Sequence, residues 1–188
     1  SCDQVERIDG FTIYGGNADV PGHSSGAAFS GGNGTIFANC RFEQNYALCG
    51  GAVSTNGVLT FTNCVFSANR AVNGDGGAIW ATGGVLTLKN CVFQQNEASS
   101  RGGGVYASNV DSDLTGCIFD RNKAGRAGGM IARDGSETTL INCTFSGNTG
   151  SLADYPEGAG FRDAPDTVDD VDFTNCIFWG NSSAGNYL

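Results

Sequence analysis

The sequence predicts an all-β fold, a parallel β-helix of about seven coils, on three observations. A seven-residue phrase, NCVFSAN at residues 63–69, recurs in close variants along the 188-residue chain. A glycine-rich phrase, GGAV or GGAI, alternates with it. Apolar residues recur at every second position, as in β-strands, and not at the three- and four-residue intervals of helices. Each repeat therefore holds about three short strands separated by Gly, Asn and Ser turns, which matches one circuit of a β-helix.

The core of the phrase, Phe-x-x-Asn, sets the period of the repeat. Successive copies begin 24, 27, 26, 26 and 33 residues apart, at Phe42, Phe66, Phe93, Phe119, Phe145 and Phe178. A degenerate first copy, FTIYGGN, ends at Asn17. Coils of a β-helix lie about 4.8 Å apart, so equivalent residues stack on one another. Seven coils at this rise predict a rod roughly 34 Å long.

Three inward columns of identical residues follow from this stacking. The phenylalanines form an aromatic column, and a thiol column lies beside it, formed by Cys40, Cys64, Cys91, Cys117, Cys143 and Cys176. The third column ends the same strand and consists of Asn45, Asn69, Asn96, Asn122, Asn148 and Asn181. Asparagine tolerates the left-handed turn conformation, and stacked amides can bond from coil to coil. We expect both properties at these six positions.

The glycine-rich phrase marks a corner of each coil. It begins at Gly50, Gly76, Gly102 and Gly128, with weaker copies at residues 26 and 158. Glycine relieves crowding where the chain turns sharply. The sequence therefore predicts corners just before Val53, Ile79, Val105 and Ile131.

The paired GGA[I/V] and FxxN motifs resemble those of chlamydial polymorphic outer-membrane proteins, which are autotransporter adhesins. Two segments, IDGFTIYGGNA (residues 8–18) and TNCIFWGNSS (residues 174–183), are similar to right-handed β-helix repeats of large secreted or surface proteins of environmental bacteria. The resemblance covers nearly the whole chain. It implies a single-stranded right-handed parallel β-helix over residues 1–188, with an irregular first coil (1–25) and an acidic insertion (151–172). It also implies an extracellular or cell-surface setting. Because β-helices carry both adhesins and polysaccharide lyases, it does not select an activity.

The amino-acid composition excludes some classes of binding partner. The chain has nineteen acidic residues and only ten basic ones. Such a surface repels nucleic-acid phosphates and anionic membranes. No run of about 18 apolar residues exists, so the sequence predicts no membrane insertion. The chain starts at Ser1 without an apolar leader, and we expect a mature or excised piece.

The cysteines divide into two groups. Six belong to the thiol column, where vertical spacing exceeds disulfide geometry, and we expect them to be buried free thiols. Cys2 and Cys49 lie outside the phrase. They could be unpaired, could clip the N-terminal segment onto a coil, or could form a bond between subunits.

The insertion before the last coil is rich in acids. Its carboxylates include a candidate calcium set, Asp163, Asp166, Asp169 and Asp170, because calcium takes six to eight oxygen ligands. By analogy with polysaccharide lyases of this fold, Arg162 could act as a base. A merely solvated acidic loop is the alternative, since the spacing lacks an established calcium motif.

His23, the single histidine, is interpreted as a surface loop residue.

Outward aromatic residues are candidate binding groups. Trp80 and Tyr106 follow GGAI and GGGV at equivalent places, so they are expected one above the other. Exposed rings can stack on sugars or anchor a protein partner. Partial burial against neighbouring side chains is the alternative interpretation.

The functional prediction is a surface structural or adhesive β-helix without catalytic residues. Its partners would be other protein subunits, molecules of a host or neighbouring surface, or polysaccharide. The coil ends carry no evident capping element, so the chain is either a fragment of a longer solenoid or a subunit that stacks end to end into a homopolymer. The alternative function is a carbohydrate-active or carbohydrate-binding β-helix that uses the acidic loop with calcium. No other cofactor is predicted.

Overall fold

A computed structural model describes residues 6–18, 25–32, 34–151, 158–164 and 170–183. Within these ranges all regular structure is β: 27 short strands pair only in parallel, in four sheets. Each sheet takes one strand from each successive coil. This confirms the predicted right-handed parallel β-helix. The coil has four strands, however, and not three.

Sheet 1 consists of the strands whose sequences alternate most regularly. In β9 (Val58–Thr62), Leu59 and Phe61 are buried while Val58 is exposed. Alternation of this kind places every second side chain inside the coil. The seven strands are β1 (Arg7–Asp9), β5 (Thr35–Ala38), β9, β13 (Val85–Lys89), β17 (Asp111–Thr115), β21 (Glu137–Ile141) and β25 (Asp170–Thr174).

Sheet 2 contains the phenylalanine of each phrase at the centre of a three-residue strand. The register aligns Phe66 with Phe42 on one side and with Phe93 on the other. The seven strands are β2 (Thr12–Tyr14), β6 (Arg41–Glu43), β10 (Val65–Ser67), β14 (Val92–Gln94), β18 (Ile118–Asp120), β22 (Thr144–Ser146) and β26 (Ile177–Trp179).

Sheet 3 is the one that the sequence did not predict as separate. Its strands have two residues each and, from the second coil onward, directly follow the asparagine of the phrase. They are β3 (Asn17–Ala18), β7 (Tyr46–Ala47), β11 (Arg70–Ala71), β15 (Glu97–Ala98), β19 (Lys123–Ala124), β23 (Thr149–Gly150) and β27 (Ser182–Ser183).

Sheet 4 follows the glycine-rich phrase. Its six strands are β4 (Phe29–Ser30), β8 (Val53–Thr55), β12 (Ile79–Thr82), β16 (Val105–Ser108), β20 (Met130–Arg133) and β24 (Phe161–Ala164). Among the described residues, six coils thus contribute to all four sheets and the seventh contributes to three. The coil count differs slightly from seven full coils for this reason.

A left-handed residue separates sheet 2 from sheet 3, and it is not the asparagine. Positive φ occurs one position earlier, at Gln44, Ala68, Gln95, Arg121 and Gly147. The prediction that the asparagines of the column adopt the turn conformation is therefore wrong. Left-handed asparagines occur instead before the cysteines, for example Asn63 and Asn90, at φ values of 54° and 52°. The preceding residue makes the bend, which directs the asparagine side chain into the coil.

The asparagine column itself is confirmed as a hydrogen-bonded ladder. Asn45, Asn69, Asn96, Asn122 and Asn148 are fully buried. The amide Nδ2 of each donates to the Oδ1 of the next, at 2.9–3.0 Å, from the second coil to Asn181 in the seventh. The first coil differs, because Gly16 and not Asn17 aligns with Asn45, and the Gly16 N–H donates to its Oδ1. The FTIYGGN copy is therefore shifted by one residue from the predicted alignment.

The phenylalanine column is also confirmed. Neighbouring rings in sheet 2 are stacked almost parallel, with centroids 4.7 Å apart for Phe66 and Phe93 and again for Phe93 and Phe119. A shorter aromatic set from sheet 1 meets it edge to face, with Phe61 at 5.2 Å from Phe66. These contacts fill the interior of the second and third coils, where Phe37 and Phe61 are fully buried; in the next three coils, Leu88, Leu114 and Leu140 take the aligned positions of sheet 1.

The glycine-rich corner is confirmed, with a corrected register at its fourth copy. A Cβ on Gly77 would lie 2.1 Å from the carbonyl oxygen of Gly103 in the next coil, so the corner requires glycine. In the fourth copy, Met130 aligns with Val105. Ala127, at a φ of 50°, consequently takes the place that Gly102 has in the preceding coil. The predicted corner before Ile131 is displaced by one residue.

Candidate functional site

The outward face of sheet 4 carries the most varied side chains of the repeat. One residue of each strand lies in a single column, and the column runs Ser30, Ser54, Trp80, Tyr106, Ile131 and Arg162. Trp80 and Tyr106 are therefore neighbours in adjacent coils, as predicted. The sheet register places them together, because the outward position after each glycine phrase is the same.

The two aromatic residues differ in exposure. Tyr106 is only 6% exposed and packs with Ala127 and Ile131, while Trp80 is half-buried against this cluster. The guanidinium carbon of Arg101 lies 5.0 Å from the centroid of the Tyr106 ring. Of the two interpretations, burial against neighbouring side chains therefore applies to Tyr106, because the cation and the neighbouring coil cover its ring.

An ion pair fixes this arginine. Nε and Nη2 of Arg101 donate to the two carboxylate oxygens of Asp75 at 3.0 and 2.8 Å. Both residues directly precede a glycine phrase, in NGDGGAI and SSRGGGV. Opposite charges at the same repeat position one coil apart are the sequence signal for this pair, which was not predicted. The two-point geometry makes it a rigid support for Tyr106.

A groove opens beside Trp80 where the column changes from small to large residues. Its volume is about 270 Å³. The lining consists of uncharged residues from three coils, namely Ser30, Gly31, Ser54, Thr55, Asn56, Trp80 and Thr82. Serine and glycine in the two lower coils leave the space that the indole borders from above. Sequence reasoning named Trp80 but not the groove, because the groove depends on which coils become neighbours.

Farther along the same face, a carboxylate accepts two polar contacts. Oγ of Ser108 donates to Oδ2 of Asp134 at 2.6 Å, and Nε of Arg133 lies 2.7 Å from the same oxygen. The Ser108 hydrogen bond, followed by the Arg133 contacts, lowers the pKa of Asp134 below its usual value. The side chain is half-buried and remains a carboxylate at neutral pH.

The predicted calcium set lies only partly within the described residues. Asp163 is on β24 and Asp170 begins β25, both exposed, whereas Asp166 and Asp169 lie outside the described residues. In the described part of the chain, no three His, Cys, Asp or Glu side chains are grouped closely enough to hold a metal ion. The described carboxylates therefore form no calcium site by themselves. Arg162 lies in the outward column of sheet 4, next to Ile131.

The thiol column consists of free cysteines. Five of the six are buried, and Cys176, in the seventh coil, is partly exposed. Sγ of Cys91 donates to the carbonyl oxygens of Phe61 and Lys89, each at 3.4 Å. Burial raises the pKa of the Cys40 thiol, and the bonds of Cys91 with its neighbouring thiols, together with burial, raise the pKa of Cys91. The hydrogen bond with Cys91 lowers the pKa of Cys64 to about 7, and the hydrogen bond with Cys143 lowers the pKa of Cys117 to about 4. Because these two thiols are fully buried, they act as packing groups and are closed to solvent reagents.

The remaining predicted residues lie away from this column. Cys49 is a partly exposed free thiol next to Gly50, while Cys2 and His23 lie outside the described residues. The proposed bond between Cys2 and another cysteine therefore stays a prediction. No helix in the described ranges has the length and apolar character needed to cross a bilayer.

Comparison with known families agrees with this architecture. The family model described as a right-handed beta helix region matches residues 53–188, which is most of the chain. Searches of curated proteins and of solved structures returned no match. The matched segment contains the coils in which the asparagine ladder, the stacked phenylalanines and the glycine corners recur. The chain therefore belongs to the right-handed β-helix family.

Proposed function

We propose that this chain is an extracellular or cell-surface β-helix that acts as a structural or adhesive element. The observation that carries the proposal is the uninterrupted asparagine ladder from Asn45 to Asn181. Buried, fully bonded amides make adjacent coils rigid with respect to one another. A rod of this kind holds its outward faces at fixed spacing, which is what a spacer or an adhesive surface requires.

The resemblance of the GGA[I/V] and FxxN motifs to polymorphic outer-membrane adhesins supports the surface setting. The acidic composition, with a formal net charge of −9, supports a soluble and strongly hydrated exterior. Partners in this role are other protein subunits, or molecules on a host or neighbouring surface.

End-to-end assembly into a homopolymer belongs to the same proposal. In the seventh coil Phe173, Ile177, Phe178 and Trp179 are exposed, by 47%, 59%, 47% and 77%. Apolar side chains in this position can be covered by a further coil. In the first coil Phe11 and Tyr14 are exposed at 60% and 63%. A joint between these two surfaces would bury aromatic residues from both.

Two measurements test the surface role. An antibody against the folded chain should bind intact producing cells, or the medium around them, to the same extent as lysed cells; signal confined to lysed cells contradicts the proposal. Electron microscopy of the purified chain should show filaments that shorten to single rods in Phe178→Asp. Single rods in both proteins would remove the homopolymer while leaving the surface role.

An enzymatic test separates the proposal from the alternative that uses the acidic loop. The chain is incubated with acidic polysaccharides, with and without calcium, and product release is followed. The structural role predicts no release. Calcium-dependent release that disappears in Arg162→Ala or in Asp170→Asn would establish the carbohydrate-active alternative in its place.

A further inference from the structure

The groove beside Trp80 has the chemistry of a ligand site that the structural role does not require. Trp80 is one of two tryptophans in the chain. It is half-buried, so part of the ring is held in place while part borders open space. An aromatic ring with one covered and one open surface is a typical platform for an apolar ligand face.

Polar groups surround this platform. Ser30, Ser54, Thr55 and Thr82 provide four hydroxyl groups, and Asn56 provides a side-chain amide. Each hydroxyl can donate and accept, and the amide supplies both functions. Thr55 Oγ1 already accepts from the Gly57 N–H at 3.1 Å, so its hydroxyl hydrogen is directed elsewhere. A ligand with several hydroxyl groups around an apolar face matches this combination.

The site is organised before any ligand arrives. Trp80 packs against the cluster of Tyr106, Ala127 and Ile131, and Tyr106 in turn is covered by Arg101. Below it, β8 and β12 are in direct register, with Ser54 paired to Trp80. Backbone hydrogen bonds of the sheet fix the floor, so binding orders few side chains and loses little conformational entropy.

The lining also selects the charge of the ligand. None of its seven residues is charged. Arg101, which covers the neighbouring Tyr106 ring, is occupied by Asp75 through two hydrogen bonds. An acidic sugar would therefore lack a cationic partner in the groove and would approach a protein of net negative charge. A neutral sugar has no such penalty.

We propose that the groove beside Trp80 binds a neutral saccharide, with a pyranose ring stacked on the indole and its hydroxyl groups bonded to Ser54, Asn56 and Thr82. The space of about 270 Å³ suits one or two sugar units of a longer chain. This inference goes beyond the proposed surface role, which stands or falls on localisation.

The test uses the purified chain with Trp179→Phe, so that Trp80 is the single tryptophan reporter. Neutral hexose and pentose oligosaccharides and uronic-acid oligosaccharides are titrated up to about 10 mM, which is tenfold above a Kd of about 1 mM for weak single-site binding. We expect a saturable change in Trp80 fluorescence with at least one neutral oligosaccharide, and the same affinity by calorimetry.

Two variants and one control locate the binding. Thr82→Val removes one hydroxyl while keeping the branched shape that the strand favours, and it should weaken binding about three- to tenfold, the worth of one hydrogen bond. Thr87→Val, on the outward side of sheet 1, is the matched control and should bind like the parent. Trp80→Ala removes the fluorescent reporter, so its binding is followed by calorimetry alone; it should abolish binding while circular dichroism shows the parent fold.

Three results would overturn the proposal. They are the absence of saturable binding with every neutral oligosaccharide, binding restricted to uronic-acid oligosaccharides, and equal loss of affinity in Thr82→Val and Thr87→Val. None of these bears on whether the chain is displayed at a surface, so failure of the groove and failure of the surface role are distinguishable.

Discussion

The side-chain amide of Asn69 donates a 3.0 Å hydrogen bond to Oδ1 of Asn96 in the next coil, and the backbone N–H of Asn69 donates to the same oxygen at 3.0 Å. Nδ2 of Asn96 then donates to the Phe66 carbonyl oxygen and to Oδ1 of Asn122. Each amide thus connects three coils. Because all of these atoms are buried, the loss of one member leaves several groups without partners.

The first prediction concerns this ladder. Asn96→Ala should lower the free energy of unfolding by about 4 kcal/mol, since both donors of Asn69 lose their acceptor and the Phe66 carbonyl loses a donor. Urea unfolding measures the change. Asn90→Gly is the control: Asn90 is exposed and left-handed, and the aligned place in the next coil is Gly116. A similar loss in both variants would contradict the ladder's role.

The second prediction concerns the phenylalanine column. Phe93→Ala should lower the free energy of unfolding by about 4 kcal/mol, because Phe93 is fully buried between two stacked rings. Phe178→Ala should cost about half as much, since Phe178 is 47% exposed and has one stacked neighbour in sheet 2. Urea unfolding measures both losses of free energy. Equal losses in the two variants would contradict the prediction, because they would mean that the end coil is as well covered as the middle coils.

The third prediction concerns the glycine corner. Gly77→Ala should destabilise the fold by about 3 kcal/mol, because the new Cβ would lie 2.1 Å from the Gly103 carbonyl oxygen. Gly150→Ala is the matched control. Gly150 aligns with Ala124, and its nearest potential neighbour is 3.7 Å away, so alanine should be neutral or stabilise by up to about 1 kcal/mol. Thermal melting of both variants checks the pair, and a tolerated Gly77→Ala would contradict the close approach of the coils.

The fourth prediction concerns thiol reactivity. Cys40, Cys64, Cys91, Cys117 and Cys143 are fully buried, and a thiol reagent should modify none of them in the native protein. Cys49 should react, since it is partly exposed. After reduction and unfolding in guanidinium, all eight cysteines should react. Mass spectrometry of the labelled peptides assigns the sites, and rapid native labelling of Cys91 would contradict the packed thiol column.

The fifth prediction concerns acid stability. The folded-state pKa of Asp134 is lowered, chiefly by the Ser108 hydrogen bond, so its carboxylate stabilises the fold above about pH 4. This contribution is lost as the pH falls through the lower, folded-state pKa. Asp134→Asn, which tolerates the same left-handed backbone, should be less stable than the parent at pH 7 and equal to it near about pH 2.

Urea unfolding across this pH range measures that difference. Asp111→Asn, at an exposed aspartate of β17, is the control and should follow the parent curve. If the free energy of unfolding of Asp134→Asn stayed below that of the parent by the same amount down to the lowest pH, the charge of the Asp134 carboxylate would not be the cause of the difference.

Some details of the repeat were not predictable from the sequence, although the repeat itself was. Phe42, Phe66 and Phe93 were correctly expected to stack because a fixed period and a parallel sheet leave no other register. The left-handed turn was assigned to the asparagines, whereas it belongs to residues as unlike as Gln44 and Ala68. Residues so different give no sequence signal for positive φ, and only the need to bury the following asparagine selects the conformation.

The outward face of sheet 4 was even less predictable from the sequence. The equivalence of Trp80 and Tyr106 followed from the repeat, but their different exposure did not. Burial of Tyr106 depends on Arg101, Ala127 and Ile131. These groups come from separate corners and strands, and their distance from the ring is a property of the assembled coil.

The coil can be read from the printed residues, because a strict period of Cys, Phe and Asn together with two-residue alternation can bury its apolar residues in one way, as stacked parallel strands. The groove beside Trp80 and the cover over Tyr106 arise when the coils are assembled. The physical reason is that inward positions repeat and reinforce one another from coil to coil, while each outward position depends on the different side chains that the neighbouring coils place next to it.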